Sequence, residues 1–86
     1  MKISVDISYY PLKDDFKPAI RTFIGRLSEH SALEVHPGSI STQVFGEFDE
    51  VMSAVTAEIK KACEIPSSVF VLKILNSDSN KPYVAK

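Results

Sequence analysis

From Lys2 to Tyr10 the chain alternates apolar and polar residues, with Ile3, Val5, Ile7 and Tyr9 on one side of the pattern and Ser4, Asp6 and Ser8 on the other. A period of two separates the faces of a strand, so the first element is a strand. Pro11 stops ladder pairing. Asp14 and Asp15 then offer N-cap oxygens ahead of Phe16, Ile20, Phe23, Ile24 and Leu27, whose spacing of three and four is that of a helix with one apolar stripe. Pro18 falls in the first turn, where its missing N–H had no intrahelical partner to lose. Leu33 to His36 reads as a short strand and Pro37-Gly38 as a turn; an extended run from Ser39 to Phe48 follows. The strand from Ile40 to Gly46 is thus the inner member of a hairpin. Asp49 caps a second helix with the stripe Met52, Val55, Ile59, Ala62 and Cys63; Glu58, Lys60 and Lys61 lie mostly elsewhere, and Pro66 marks the end. The last run, Val69 to Leu75, is nearly continuous in apolar character, the pattern of a strand with partners on both faces. Asn76 to Asn80 opens a polar tail, the one segment whose composition allows disorder.

The element order β-α-β-β-α-β, with right-handed crossovers, predicts an α+β ferredoxin-like sandwich: a four-stranded antiparallel sheet, strand order 4-1-3-2, with two helices on one face. At 86 residues there is room for one core, so residues 1–86 form a single domain. So short a chain buries only about 60 to 65% of its unfolded surface, which makes self-association, as a homodimer or a dimer of dimers, the natural supplement. The apolar content of the first and last strands favours packing of the uncovered sheet face. A formal net charge of −1 provides no attraction to polyphosphate, and nucleic acid is disfavoured as a partner. The single cysteine, Cys63, cannot form an internal bridge and reads as a small core residue. No apolar run approaches the roughly 18 residues that span a bilayer, nor the form of a signal peptide, so no membrane partner and a cytoplasmic location are expected.

A fold of this kind hosts many activities, and function has to come from a site. An RNA-reading surface needs a glycine-aromatic signature in a basic setting, which Tyr9 and Phe45 alone do not supply. A metal carrier needs a cysteine pair or a His/Cys cluster after the first strand, where this chain has Tyr9-Tyr10-Pro11-Leu12-Lys13. His30 and His36 are the obvious acid-base candidates, but one falls at a helix end and the other beside a turn, and both read as surface or capping residues. Three glycines leave no phosphate-binding loop, and neither catalysis nor a metal is expected. What remains is a polar set on the two central strands: Ser4, Asp6, Ser8 and Tyr10 on the first, Ser41, Thr42 and Gln43 on the third. Short hydroxyls, an amide and a carboxylate near aromatic rings suit a flat heteroaromatic ligand, although a solvated sheet face shows the same alternation.

The segments Ile7-Ser8-Tyr9-Tyr10-Pro11-Leu12-Lys13-Asp14-Asp15 and Ile40-Ser41-Thr42-Gln43-Val44-Phe45-Gly46-Glu47-Phe48-Asp49-Glu50-Val51 resemble, in order, the YkoF-like family of thiamine- and hydroxymethylpyrimidine-binding proteins. The resemblance implies the ferredoxin-like fold and the absence of enzyme activity. It also implies binding of thiamine, or of its hydroxymethylpyrimidine moiety, in vitamin uptake or salvage, with no further cofactor. Carried over onto this sequence, it makes Ser8 and Thr42 ligand contacts; Asp6, Tyr10, Ser41, Gln43 and Glu47 join them by neighbourhood. Two such domains stand in tandem in YkoF itself, so a single domain implies a homodimer. Simple alternation sets Ser8 on the polar side of its strand but Thr42 with Ile40 and Val44. Either a bulge or an apolar outer face used for dimerisation reconciles the two. The rival reading is a structural or regulatory oligomerisation module with no small-molecule site.

Overall fold

The computed structural model describes residues 1–77, so the expected disorder of the polar tail falls almost wholly outside the described residues. Six elements follow the expected order: β1 (Lys2–Pro11), α1 (Lys17–Ser28), β2 (Glu34–Pro37), β3 (Thr42–Glu47), α2 (Phe48–Ala62) and β4 (Ser68–Leu75). The sheet runs β2-β3-β1-β4 with every neighbour antiparallel, and both helices cover one face. This is the α+β ferredoxin-like sandwich that the pattern predicts. None of the helices is long and apolar enough to cross a membrane among the described residues.

The alternation in β1 decides where the core sits. Ile3, Val5 and Ile7 point to the helices and meet Val44 of β3, Phe23 and Leu27 of α1, and Val51 and Val55 of α2, all buried. Toward the Pro11 end the layer is aromatic: Tyr9 stacks on Phe70 of β4 with ring centroids 4.3 Å apart, and Phe23 meets Tyr9 edge-on at 5.2 Å. At the other end Gly46 lets α2 close onto the sheet. A Cβ there would stand 3.1 Å from Val51 Cγ2 and 3.3 Å from the Ala32 carbonyl.

Several local expectations are corrected. Neither Asp14 nor Asp15 caps α1: Phe16 holds the N-cap position in helical conformation, with no side-chain cap hydrogen bond. Pro18, one of the first two helical residues, has no N–H for a cap to engage. Asp49 lies inside the first turn of α2, where its charge suits the helix dipole, and the N-cap is Glu47. Cys63 is exposed at the C-cap of α2, not in the core. Ile40 precedes β3 in the hairpin loop and is 88% exposed. β4, at the predicted edge of the sheet, is covered on one face and not on both, so Val69 and Val71 are exposed while Phe70 and Leu72 pack on the core. In α2 the expected Val55, Met52, Ile59 and Ala62 do pack on the core, but its fully buried line, Val51, Ala54, Val55 and Glu58, extends to one side of that stripe.

Candidate functional site

The register of β1 on β3 sorts the polar residues. Asp6 pairs with Gln43 and Ile7 with Thr42, in an unbroken ladder that begins at Lys2 and Glu47. Asp6, Ser8, Tyr10 and Gln43 therefore lie on the open sheet face, and Thr42, 6% exposed, lies under the helices with Val44. No bulge interrupts this ladder, and Ser8 and Thr42 point to opposite faces. Ser41, just before β3, donates to Asp6 Oδ1 at 2.5 Å and holds the hairpin loop to β1. Glu47 sits at the far end of β3, 3.0 Å from the Met1 ammonium. Five residue steps along a strand span roughly 16 Å, more than one pyrimidine ring can bridge from Thr42. The polar set thus divides into an open-face group around Asp6, a buried Thr42, and a remote Glu47.

Each of the two faces carries a concavity. On the open face Ser4, Asp6, Gln43, Phe45, Lys73 and Leu75 line a depression of about 160 Å³. Ser4 Oγ donates to the Ser77 carbonyl at 2.6 Å, which brings the chain after β4 back to this face. On the helix side Thr42 lines a crevice of only about 80 Å³ with Tyr9, Ile20 and the hairpin loop. A larger cleft of about 330 Å³ opens between α1 and α2, lined by Tyr9, Phe23, Arg26, Glu58 and Lys61 among others.

Glu58 is the unexpected residue in that cleft. Its side chain is 5% exposed; Oε2 lies 2.9 Å from His30 Nε2 and 3.9 Å from Lys61 Nζ, and Oε1 is buried with no hydrogen-bond partner among the described residues. The Tyr9 hydroxyl is likewise buried and has no hydrogen-bond partner among the described residues. Leaving a buried polar group unsatisfied costs roughly 1 to 3 kcal/mol, more for a charged one, so such groups accumulate where a partner arrives from outside. Sequence reasoning passed over Glu58 because a carboxylate looks solvent-directed. The signal was its spacing, four after Ala54 and three after Val55, which sets it on the buried line. His30 is the anchor of this carboxylate, and His36, exposed, pairs with Glu34 at 2.7 Å. Among the described residues no cluster of three or more His, Cys, Asp or Glu side chains could hold a metal ion.

No protein-family model and no curated protein matches the chain. Its fold is similar to that of a Thermotoga maritima protein provisionally assigned to thiamine biosynthesis or salvage, with 25% identity, a TM-score of 0.77, and 90% of this chain and 85% of that one covered. A hypothetical protein from Methanocaldococcus jannascii matches with 20% identity and a TM-score of 0.75 over 94% of this chain and 84% of its own. A domain of unknown function from Bacillus cereus gives 16% identity and 0.73 over 98% and 84%. The latter two speak for the fold alone.

Proposed function

We propose that the chain is a non-catalytic binder of thiamine or of its hydroxymethylpyrimidine moiety, acting in uptake or salvage of the vitamin. The observation that carries this reading is the similarity, over 90% of the chain, to the Thermotoga protein assigned to thiamine biosynthesis or salvage. The helix-side concavities support it, since a flat ring would meet both aromatic walls and hydrogen-bonding groups there. Calorimetry with thiamine and with hydroxymethylpyrimidine tests it. Micromolar binding of either is expected; millimolar or absent binding of both sinks the reading.

The exposed strip of Val69, Val71 and Leu75 on β4 favours a second reading, assembly through the open face. A second copy is the fitting occupant, because Asp6 and Lys73 lie on that one face and a twofold axis can set each against the other's copy. Sedimentation equilibrium of wild type and Val71→Asp distinguishes the readings. A homodimer or dimer of dimers that the variant disrupts, without any ligand binding by wild type, favours the purely structural role.

A further inference from the structure

Glu58 and Tyr9 define what the α1/α2 cleft is suited to hold. A carboxylate oxygen only accepts hydrogen bonds, whereas a phenol both donates and accepts. Glu58 Oε1 and the Tyr9 hydroxyl, both unpartnered among the described residues and both on residues of the cleft wall, suit a ligand edge that carries an N–H donor and a ring nitrogen acceptor. That edge belongs to amino-substituted nitrogen heteroaromatics. Phe23 supplies an apolar wall, and a cleft of about 330 Å³ has room for a substituted six-membered ring, which the crevice of about 80 Å³ beside Thr42 does not.

The mouth of the cleft has a different character. Lys13 lines it, opposed by Glu64, whereas Arg26 in the last turn of α1 and Lys61, 3.9 Å from Glu58, stand toward the carboxylate end. α1 presents Pro18 and Ala19 to the same wall, and its amino end has neither a side-chain cap nor an acidic residue in the first turn. The helix dipole favours an anion there, although Pro18 supplies no N–H, and the Lys13 ammonium adds a charge-assisted donor. A ligand with an amino-heteroaromatic head and an anionic tail satisfies both ends.

We propose that the α1/α2 cleft is the ligand site and that it takes a phosphorylated aminopyrimidine. The exocyclic amine donates to Glu58 Oε1, the Tyr9 hydroxyl donates to a ring nitrogen, and the phosphate lies beside Lys13 and the amino end of α1. His30 is a positioning residue that holds the other carboxylate oxygen. The pyrimidine identity rests on the thiamine reading above; the location does not, and it moves the contacts away from Ser8 and Thr42.

The test is calorimetry of the full chain with four probes: hydroxymethylpyrimidine, its monophosphate, thiamine and thiamine monophosphate. Each phosphorylated probe is expected to bind about tenfold or more tightly than its parent alcohol. Glu58→Gln is expected to weaken all four about tenfold, and Lys13→Ala to abolish the preference for phosphate while sparing the alcohols. Amide chemical shifts of the wild-type protein give the location without any variant: on titration with the monophosphate the changes should centre on Ala19, Phe23, Glu58 and Ala62. Tight binding with shifts confined to Gly38–Thr42 or to the open face, and a neutral Glu58→Gln, overturns the site and leaves the thiamine reading standing. Failure of wild type to bind any of the four overturns both.

Discussion

The two faces of the sheet are built from the same strands, residue by alternate residue, yet they place opposite demands on a polar group. On the open face Asp6, Ser8, Gln43 and Lys73 have water beside them, and each can lose a protein partner at little cost. Under the helices Val5, Val44 and Leu27 are at most 1% exposed, and any polar atom there must find a partner or remain unsatisfied. Thr42, the Tyr9 hydroxyl and Glu58 lie on that side. A hydroxyl on the open face therefore carries little information about ligands, whereas an unpartnered one under the helices carries a good deal.

The largest test of this contrast is a pair of truncations. Leu27→Ala, at a side chain with no exposure, is expected to cost roughly 2 to 5 kcal/mol in urea unfolding. Val71→Ser, on the open face and 47% exposed, is expected to stay within about 0.5 kcal/mol for an isolated chain. A Val71→Ser cost that grows with protein concentration would instead show that a second copy covers the face.

His30→Ala comes next, because it removes the imidazole that stands 2.9 Å from Glu58 Oε2 and leaves the more distant Lys61, at 3.9 Å, to face the carboxylate. The expected loss is roughly 1 to 3 kcal/mol, set by the desolvated carboxylate rather than by the half-exposed imidazole. Doubling the change with Glu58→Leu should recover much of it, since replacing both partners with apolar groups removes the unsatisfied charge. A neutral His30→Ala would mean that water already reaches Glu58.

Nearly all of the fold was legible in the sequence, because β1 alternates cleanly and Pro37-Gly38 locates the hairpin, although Pro37 itself still pairs with Thr42 and Pro11, expected to stop pairing, still pairs with Ser68. The placement of Thr42 on the apolar side was also legible, since Val44 shares its parity. What sequence could not supply was that the buried face of α2 extends beyond the Met52, Val55, Ile59 and Ala62 stripe to take in Glu58 and leaves Cys63 outside. An apolar count assigns a stripe by its hydrophobic members, and a single buried carboxylate is outvoted by them. Nor could it show that β4, whose place at the sheet edge the predicted strand order does give, has one face uncovered. A run of Val, Phe and Leu reads the same whether its second face meets another sheet or solvent.

Asp14→Ala is the smallest test and the one that most directly separates a local rule from the structure. The pattern of an acid before an apolar helix stripe assigns Asp14 or Asp15 a capping role, and removing a cap costs roughly 0.5 to 2 kcal/mol. In the structure Phe16 occupies the cap position, and Pro18 has no N–H where a cap oxygen would bond. Asp14 is exposed, so Asp14→Ala is expected to leave unfolding within about 0.5 kcal/mol of wild type. The same substitution removes a negative charge close to Lys13 and the amino end of α1, so it should slightly strengthen binding of a phosphorylated ligand at the cleft mouth. A stability loss above about 1 kcal/mol would restore the aspartate as the cap and close the amino end of α1 to an anion.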